Sequence, residues 1–258
     1  MYLSAERVAI VTRTIQETFE QTCVAWQAIP HWDTGDPGQT EVSDENYGVV
    51  PIQGVPQDVS ASVAELIAPT PDSLLTKINA ATVALAASVD DVVFPALRAA
   101  ALGPNTFNLT ASTTDAILSA VIDCRGAVEK GGYRSPSCWI TNTDGIKGLY
   151  QLVNSYTSPS DTILYAGNIN SVHRVEKLET AVGTPPANGI VLGRRQRIAP
   201  GQASGASPGE EPVDLAISVP PSFEIVGESA ANLIKLRVRI RYAVRVKVPA
   251  GIALITGP

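Results

Sequence analysis

From residue 235 to 248 the sequence alternates without interruption, and no other stretch limits the fold as tightly. Lys235, Arg237, Arg239, Arg241, Arg245 and Lys247 fall on one parity. Leu236, Val238, Ile240, Tyr242, Val244, Val246 and Val248 fall on the other. A period of two puts the bases on one face of a β-strand and the apolar groups on the opposite face. At ~3.3 Å per residue this strand runs about 45 Å, against ~17–20 Å for an ordinary one. Upstream, Val213, Leu215, Ile217, Val219, Phe223 and Ile225 also alternate, and GESAAN at 227–232 separates the two runs. That pattern predicts one long hairpin. GIALIT, 251–256, predicts a final strand.

Helical signals lie elsewhere. Residues 4–29 predict an amphipathic helix with Ser4 as N-cap, Glu6 in the first turn, and Val8, Val11, Ile15, Phe19, Thr22 and Trp26 on one face. Pro30 ends it. Residues 71–102 carry the strongest helical pattern, with Leu74, Leu75, Ile78, Leu85, Val89, Val92 and Val93 on the apolar side. Thr70 or Asp72 can cap it, and Pro95 is expected to end or kink it. A further helix spans 112–129, stopped by Gly131-Gly132. SCWITN, 137–142, predicts a short buried strand, followed by a helix from Asp144 to about Asn154. This alternation up to about residue 195 predicts an α/β sub-domain within an α+β chain. GQASGASPGEEP, 201–212, predicts an exposed turn.

Residues 31–69 differ in kind. HWDTGDPGQTEVSDENYG is rich in Gly, Pro, Asp and Thr, and it precedes the short extended pieces VVPIQ and VSASVAELI. Nearly forty residues without a helix are unusual inside a compact domain. The expectation is a two-stranded arm that reaches away from the body and is received by another chain.

Six like charges on one strand face repel one another. Carboxylates of a neighbouring copy, or of the arm (Asp33, Asp36, Glu41, Asp44, Glu45), would relieve that repulsion. Trp32, Asp33, Asp36, Glu41, Arg194, Arg195, Arg237, Arg239 and Arg241 are therefore the candidate subunit-interface residues. Arg194, Arg195 and Arg197 come from the second basic group, GRRQR. A nucleic-acid reader would interleave its bases with aromatics and carry a basic surplus. Here only Tyr242 is near, on the other face, and the formal net charge is −6.

Charged residues make up 17% of the 258, which suits a surface largely hidden against neighbours. Cys23, Cys124 and Cys138 are odd in number and lack C-x-x-C spacing, so they fit buried thiols in a reducing compartment. No apolar run of ~18 residues suggests a membrane span, and no signal-peptide pattern opens the chain. G-x-S-x-G, G-x-G-x-x-G and Walker A runs are missing, so no catalytic residue or cofactor is expected. His31, near Asp33 and Asp36, and His173, near Glu176, could each supply part of a metal site. Two histidines in unrelated segments fall short of the ~3–4 converging ligands such a site needs, so no metal is expected.

Three stretches, taken in order, resemble the tailed-phage major capsid family of the Hong Kong 97 type, whose fold encapsulin nanocompartments share. SLLTKINAATVALAASVDDVVFPAL (73–97) is similar to the family's spine helix. SCWITNTDGIKGLYQL (137–152) resembles the entry to its axial domain. LRVRIRYAVRVKVPAGIALITG (236–257) resembles its last strands. The resemblance implies an N-terminal helix at 1–30 and an extended loop at 31–69 lying over a neighbour. It implies a peripheral domain from 70–104 and 201–258, and an axial domain at 105–200 near five- and six-fold contacts. Some members cross-link the loop through a lysine, but residues 31–69 contain none, so that chemistry is not carried over.

Implied partners are copies of the chain itself, as pentamers and hexamers, and packaged double-stranded DNA held without sequence readout, with no membrane. The implied location is a virion capsid assembled in a bacterial host cytoplasm. The alternatives are an encapsulin-type shell around a protein cargo, and an enzyme or ligand-binding domain of α+β class, which would need a polar constellation the sequence does not display.

Overall fold

In the computed structural model of the chain the alternating segment is a 14-residue strand, Leu233–Val246, paired antiparallel with a 16-residue one, Val213–Glu228. The structure describes residues 3–44, 48–101, 103–111, 113–151, 158–176, 178, 187–229 and 233–257. In chain order the elements are α1 (Ala5–Thr22), α2 (Val24–Ala28), β1 (His31–Asp33), β2 (Glu41–Ser43), β3 (Val49–Pro51), β4 (Gln53–Ser62), α3 (Val63–Ile67), α4 (Asp72–Ala100) and β5 (Thr106–Asn108). There follow α5 (Thr114–Lys130), β6 (Ser135–Thr141), α6 (Thr143–Tyr150), α7 (Ser160–Ala166), β7 (Ile169–Arg174), β8 (Ala187–Arg194), β9 (Val213–Glu228), β10 (Leu233–Val246) and β11 (Ile252–Thr256).

Two sheets organise the chain, in the orders β1-β9-β10-β4 and β5-β11-β8-β6-β7, with β2-β3 as a separate small hairpin. Helices α1 and α4 share the main core with Leu236, Val238, Ile240 and Tyr242 of β10. The second sheet is a middle layer. Cys138, Ile140, Ile190, Leu192, Ile252 and Leu254 face that same core, whereas Trp139, Val191, Ala253 and Ile255 face a second core under α5. Strands buried on both faces read as continuous apolar runs, which is why SCWIT, GIVL and IALIT do not alternate.

Segment 31–69 is folded onto the body, contrary to the projecting arm expected. β1 runs parallel to β9, and β4 pairs antiparallel with β10 from Gln53↔Tyr242 to Ser62↔Leu233. A bare edge on so long a strand would be a template for uncontrolled pairing, and β4 covers it. The segment also holds a helix, α3, started by a capping box in which the Ser62 hydroxyl accepts from Glu65 N–H and the Glu65 carboxylate accepts from Ser62 N–H.

The first helix is broken at Cys23, whose backbone is extended (φ −82°, ψ 110°). Thr22 is exposed, and Ala25, Ala28 and Ile29 take over the apolar face. Ser4 caps α1 as expected, its hydroxyl accepting from Arg7 N–H at 3.3 Å. Pro95 lies inside α4 and does not end it. Proline costs a helix ~3 kcal/mol, and Phe94 and Leu97, both wholly buried beside it, each return ~1.5–3 kcal/mol. Pro71, with no side-chain cap bond, occupies the N-cap in place of Thr70 or Asp72.

By length and composition α4 is apolar enough to cross a membrane, a span that the sequence does not predict. Its apolar face is instead buried in the main core. β11 lies between β5 and β8 in the second sheet and not beside the long hairpin with which residues 201–258 were grouped. Of the GESAAN turn, residues 230–232 lie outside the described residues, as do 152–154 at the end of the predicted helix.

Candidate subunit interface

The basic face of β10 grades from open to buried. At the open end Arg237 and Asp58 are cross-strand partners, joined by Nε to Oδ1 at 2.6 Å and Nη2 to Oδ2 at 3.1 Å. The guanidinium holds the Asp58 carboxyl below its ordinary range. Arg239 Nη1 lies 3.0 Å from Glu224 Oε2 on β9. Arg241 donates to the carbonyls of Pro37 and Gln39 at 2.8 and 3.1 Å, tying the 34–40 turn to the strand.

At the closed end the parity rule fails. Ala243, Arg245 and Lys247 are buried although they share the basic parity. The reason is the β2-β3 hairpin, whose Val42 and Ile52 pack on Ala216 and Ala243 and roof that face. Asp214, fully buried, takes Arg245 through Nε–Oδ1 at 2.7 Å and Nη2–Oδ2 at 2.6 Å, and Lys247 Nζ at 3.2 Å. Ser43 O accepts from Arg245 at 3.0 Å, and Pro208 O accepts from Lys247 at 2.6 Å.

The interface candidates divide accordingly. Trp32 belongs to the buried cluster: its indole N–H donates to Asp214 Oδ1 at 3.2 Å, and the Arg245 guanidinium stands 4.8 Å from its ring centroid. Asp33 and Asp36 serve their own loop, accepting from Gly35 N–H and Gly38 N–H at 2.8 Å each. Asp44 likewise accepts from Gly48 N–H at 2.8 Å. Glu41 is exposed on β2, and Glu45 lies outside the described residues.

Arg194 is buried, donates to Ala28 O, and lies 3.9 Å from the buried Glu211 carboxylate, whose pKa burial raises against the pull of Arg194. Arg195 stands 4.7 Å over the Tyr133 ring. The bases expected to meet a neighbour's acids thus find partners within the chain. Asp58, Glu224 and Asp214, which supply those partners, were not among the acids named from sequence.

Solvent reaches the outer half of the hairpin, where Arg237, Arg239, Asp58 and Glu224 are 33–62% exposed in their side chains. Ile225 and Val226 nearby are exposed apolar groups at 40 and 46%. Charged pairs beside apolar side chains make a surface able to dock on a complementary one.

Among the described residues no group of three or more His, Cys, Asp or Glu is placed to hold a metal. His31 stacks on Trp26 with centroids 3.7 Å apart, and burial lowers its pKa. Cys23, Cys124 and Cys138 are free and buried.

No protein-family model matches the chain, and no curated protein matches it. Solved structures do. A phage-related protein from Bordetella bronchiseptica RB50 superposes with a TM-score of 0.69 at 11% identity, covering 96% of each chain. The virus-like particle from Pyrococcus furiosus gives 0.61 at 13% identity, over 97% of this chain and 100% of that one. The capsid of cyanophage P-SCSP1u gives 0.50 at 12% identity, over 82% of this chain and 74% of that one. At such identities the likeness speaks for backbone architecture, and the chain has the Hong Kong 97-type α+β fold of phage capsid and virus-like-particle subunits.

Proposed function

We propose that this chain is a shell-forming subunit, the major capsid protein of a tailed phage, which assembles with copies of itself around double-stranded DNA. The observation that carries the reading is the end-to-end match, 96–97% of the chain, to a phage-related protein and a virus-like particle. In this reading the protein acts structurally, without catalysis, cofactor or membrane. Pentamers and hexamers form in the bacterial host cytoplasm and end in the virion. Helix α4 and the long hairpin make the peripheral part, residues 105–200 together with β11 the axial part, and 31–69 the loop that contacts a neighbour. The exposed ladder of Arg237, Asp58, Arg239 and Glu224 meets the next subunit, and DNA is held by charge alone.

A compartment shell around a protein cargo is the second reading. It is favoured by the match to the Pyrococcus virus-like particle, over 97% of this chain and 100% of that one.

Light scattering and negative-stain imaging of the expressed chain test the proposal. Closed particles of megadalton mass are expected, and DNA or protein inside them separates the two readings. A monodisperse monomer at every concentration and salt would overturn both.

A further inference from the structure

Among the described residues, the guanidinium groups of Arg134, Arg195 and Arg197 make no hydrogen bond or ion pair, and all three residues are exposed. Every other described arginine is bonded to a carboxylate, a carbonyl or a hydroxyl. The three meet at one end of the second sheet. Ser135 of β6 and Arg194 of β8 are antiparallel partners, so the next rung outward sets Arg134 opposite Arg195. Arg197 follows two residues later. Like charges directly opposite each other on a sheet repel, and among the described residues no carboxylate answers this pair. Lys130 also lies close in sequence, but it ends α5, where the helix terminus itself favours a cation.

The backbone under these bases is pinned. Asn168 Nδ2 donates to Arg134 O at 3.3 Å, and Ser135 Oγ donates to Arg195 O at 2.8 Å. The buried Glu211 carboxylate accepts from the N–H groups of Arg195 and Gln196 at 3.3 Å each, and Asn170 Nδ2 donates to Ile198 O at 2.6 Å. The Arg195 guanidinium stands 4.7 Å over the Tyr133 ring, a contact that leaves its N–H donors available. A rim held in this way has little backbone freedom left to lose on binding.

A guanidinium fork fits a phosphate or a carboxylate. To meet this rim, a second copy would have to present a matching group of carboxylates. Among the described residues no three acidic or other ligating side chains lie close enough together to hold one ion. Duplex DNA needs no such matching group. Its phosphates recur every ~3.4 Å of axis along each strand, so bases one rung (~5 Å) and two residues (~7 Å) apart each find one.

We propose that Arg134, Arg195 and Arg197 form a rim that holds the phosphate backbone of packaged double-stranded DNA, without reading its bases. This inference rests on the phage reading and names where the DNA is held. The formal net charge of −6 repels DNA elsewhere on the chain, so the hold is local and, for one copy, weak.

The test is fluorescence anisotropy of a labelled duplex of about 20 base pairs with the full-length chain, from about 20 to 150 mM salt. Three phosphate contacts at ~0.9 each predict a slope of about −2.7 for log K against log salt. Arg134→Ala, Arg195→Ala and Arg197→Ala should each flatten that slope by ~0.9, and the triple variant should abolish it. Lys235→Ala removes an exposed base that likewise has no bonded partner, on the long hairpin, and should leave the slope unchanged. Arg→Gln at the same position, which keeps a long polar side chain, replaces any alanine variant that melts early. Equal slopes for wild type and triple variant overturn the rim. So does an unchanged slope with a lower yield of particles, which assigns the three arginines to a contact with a neighbouring copy. The shell reading fails by a separate sign, wild-type chain that forms no particles, and that result does not alter the slopes.

Discussion

Asp214 and Arg245 face each other across the long hairpin as register partners and meet in a buried two-bond fork of 2.7 and 2.6 Å. The same carboxylate holds Lys247 and the Trp32 indole. Asp214→Ala would remove the buried carboxylate that these two cations share. Removing one partner of a buried ion pair costs ~3–5 kcal/mol, and urea unfolding should read a loss of that size. A loss below ~1 kcal/mol would mean that water reaches the cluster.

The outer ladder behaves in the opposite way. Arg239 and Glu224 are 41 and 39% exposed, and pairs in water are worth ~0–1 kcal/mol. Arg239→Glu should therefore leave unfolding of the free chain nearly unchanged while lowering the yield of shells, with the deficit shrinking as salt rises. Unimpaired assembly by this variant at low salt would remove the ladder from the interface.

Asp90 makes stability depend on pH. It sits on α4 beneath the α1–α2 break and accepts from Ala25 N–H at 2.8 Å, Val24 N–H at 3.1 Å and the Cys23 thiol at 3.4 Å. Burial outweighs these bonds and pushes its pKa from 3.8 to about 6. The folded chain then binds this proton more tightly than the unfolded chain does. Its contribution is most favourable below about pH 3.8 and is lost as pH rises to about 6, a swing of up to ~3 kcal/mol. Asp90→Asn removes that swing, so the variant should gain on the wild type between pH 4 and pH 7 in thermal unfolding. A difference that stays flat across that range would refute the assignment.

Gly189→Ala should destabilise by ~1–3 kcal/mol, the usual cost of overpacking, because its methyl group meets the Trp139 indole nitrogen at 2.3 Å. Circular dichroism melts measure this. An unchanged midpoint would show that the indole can swing aside.

The hairpin, the capped first helix and α4 were legible because each has one face in a core and one outside it, which leaves a period in the sequence. Less legible was the partner of each base. Asp214 sits on the polar parity of β9, but its pairing with Arg245 depends on register. That register shifts at Lys235/Leu236 and on both sides of Arg241, so counting from the turn goes astray. Likewise, alternation in 53–62 is the same whether the strand joins its own sheet or a neighbour's, and only the open edge of β10 decides. The break at Cys23 was hidden because the apolar spacing runs through it. Its cause, Asp90, reads in sequence as one of two acids interrupting an apolar run.

The slot between β5 and β8 is filled by β11, later in the chain than any strand it joins. During vectorial synthesis the second sheet therefore stays open, with two unpaired strand edges, until residues 252–256 emerge. Closing the sheet unites its two halves in one step and finishes both cores at once. In the shell reading proposed above, such a subunit would acquire its assembly-competent shape late and abruptly, and partly made chains would have little with which to recruit neighbours.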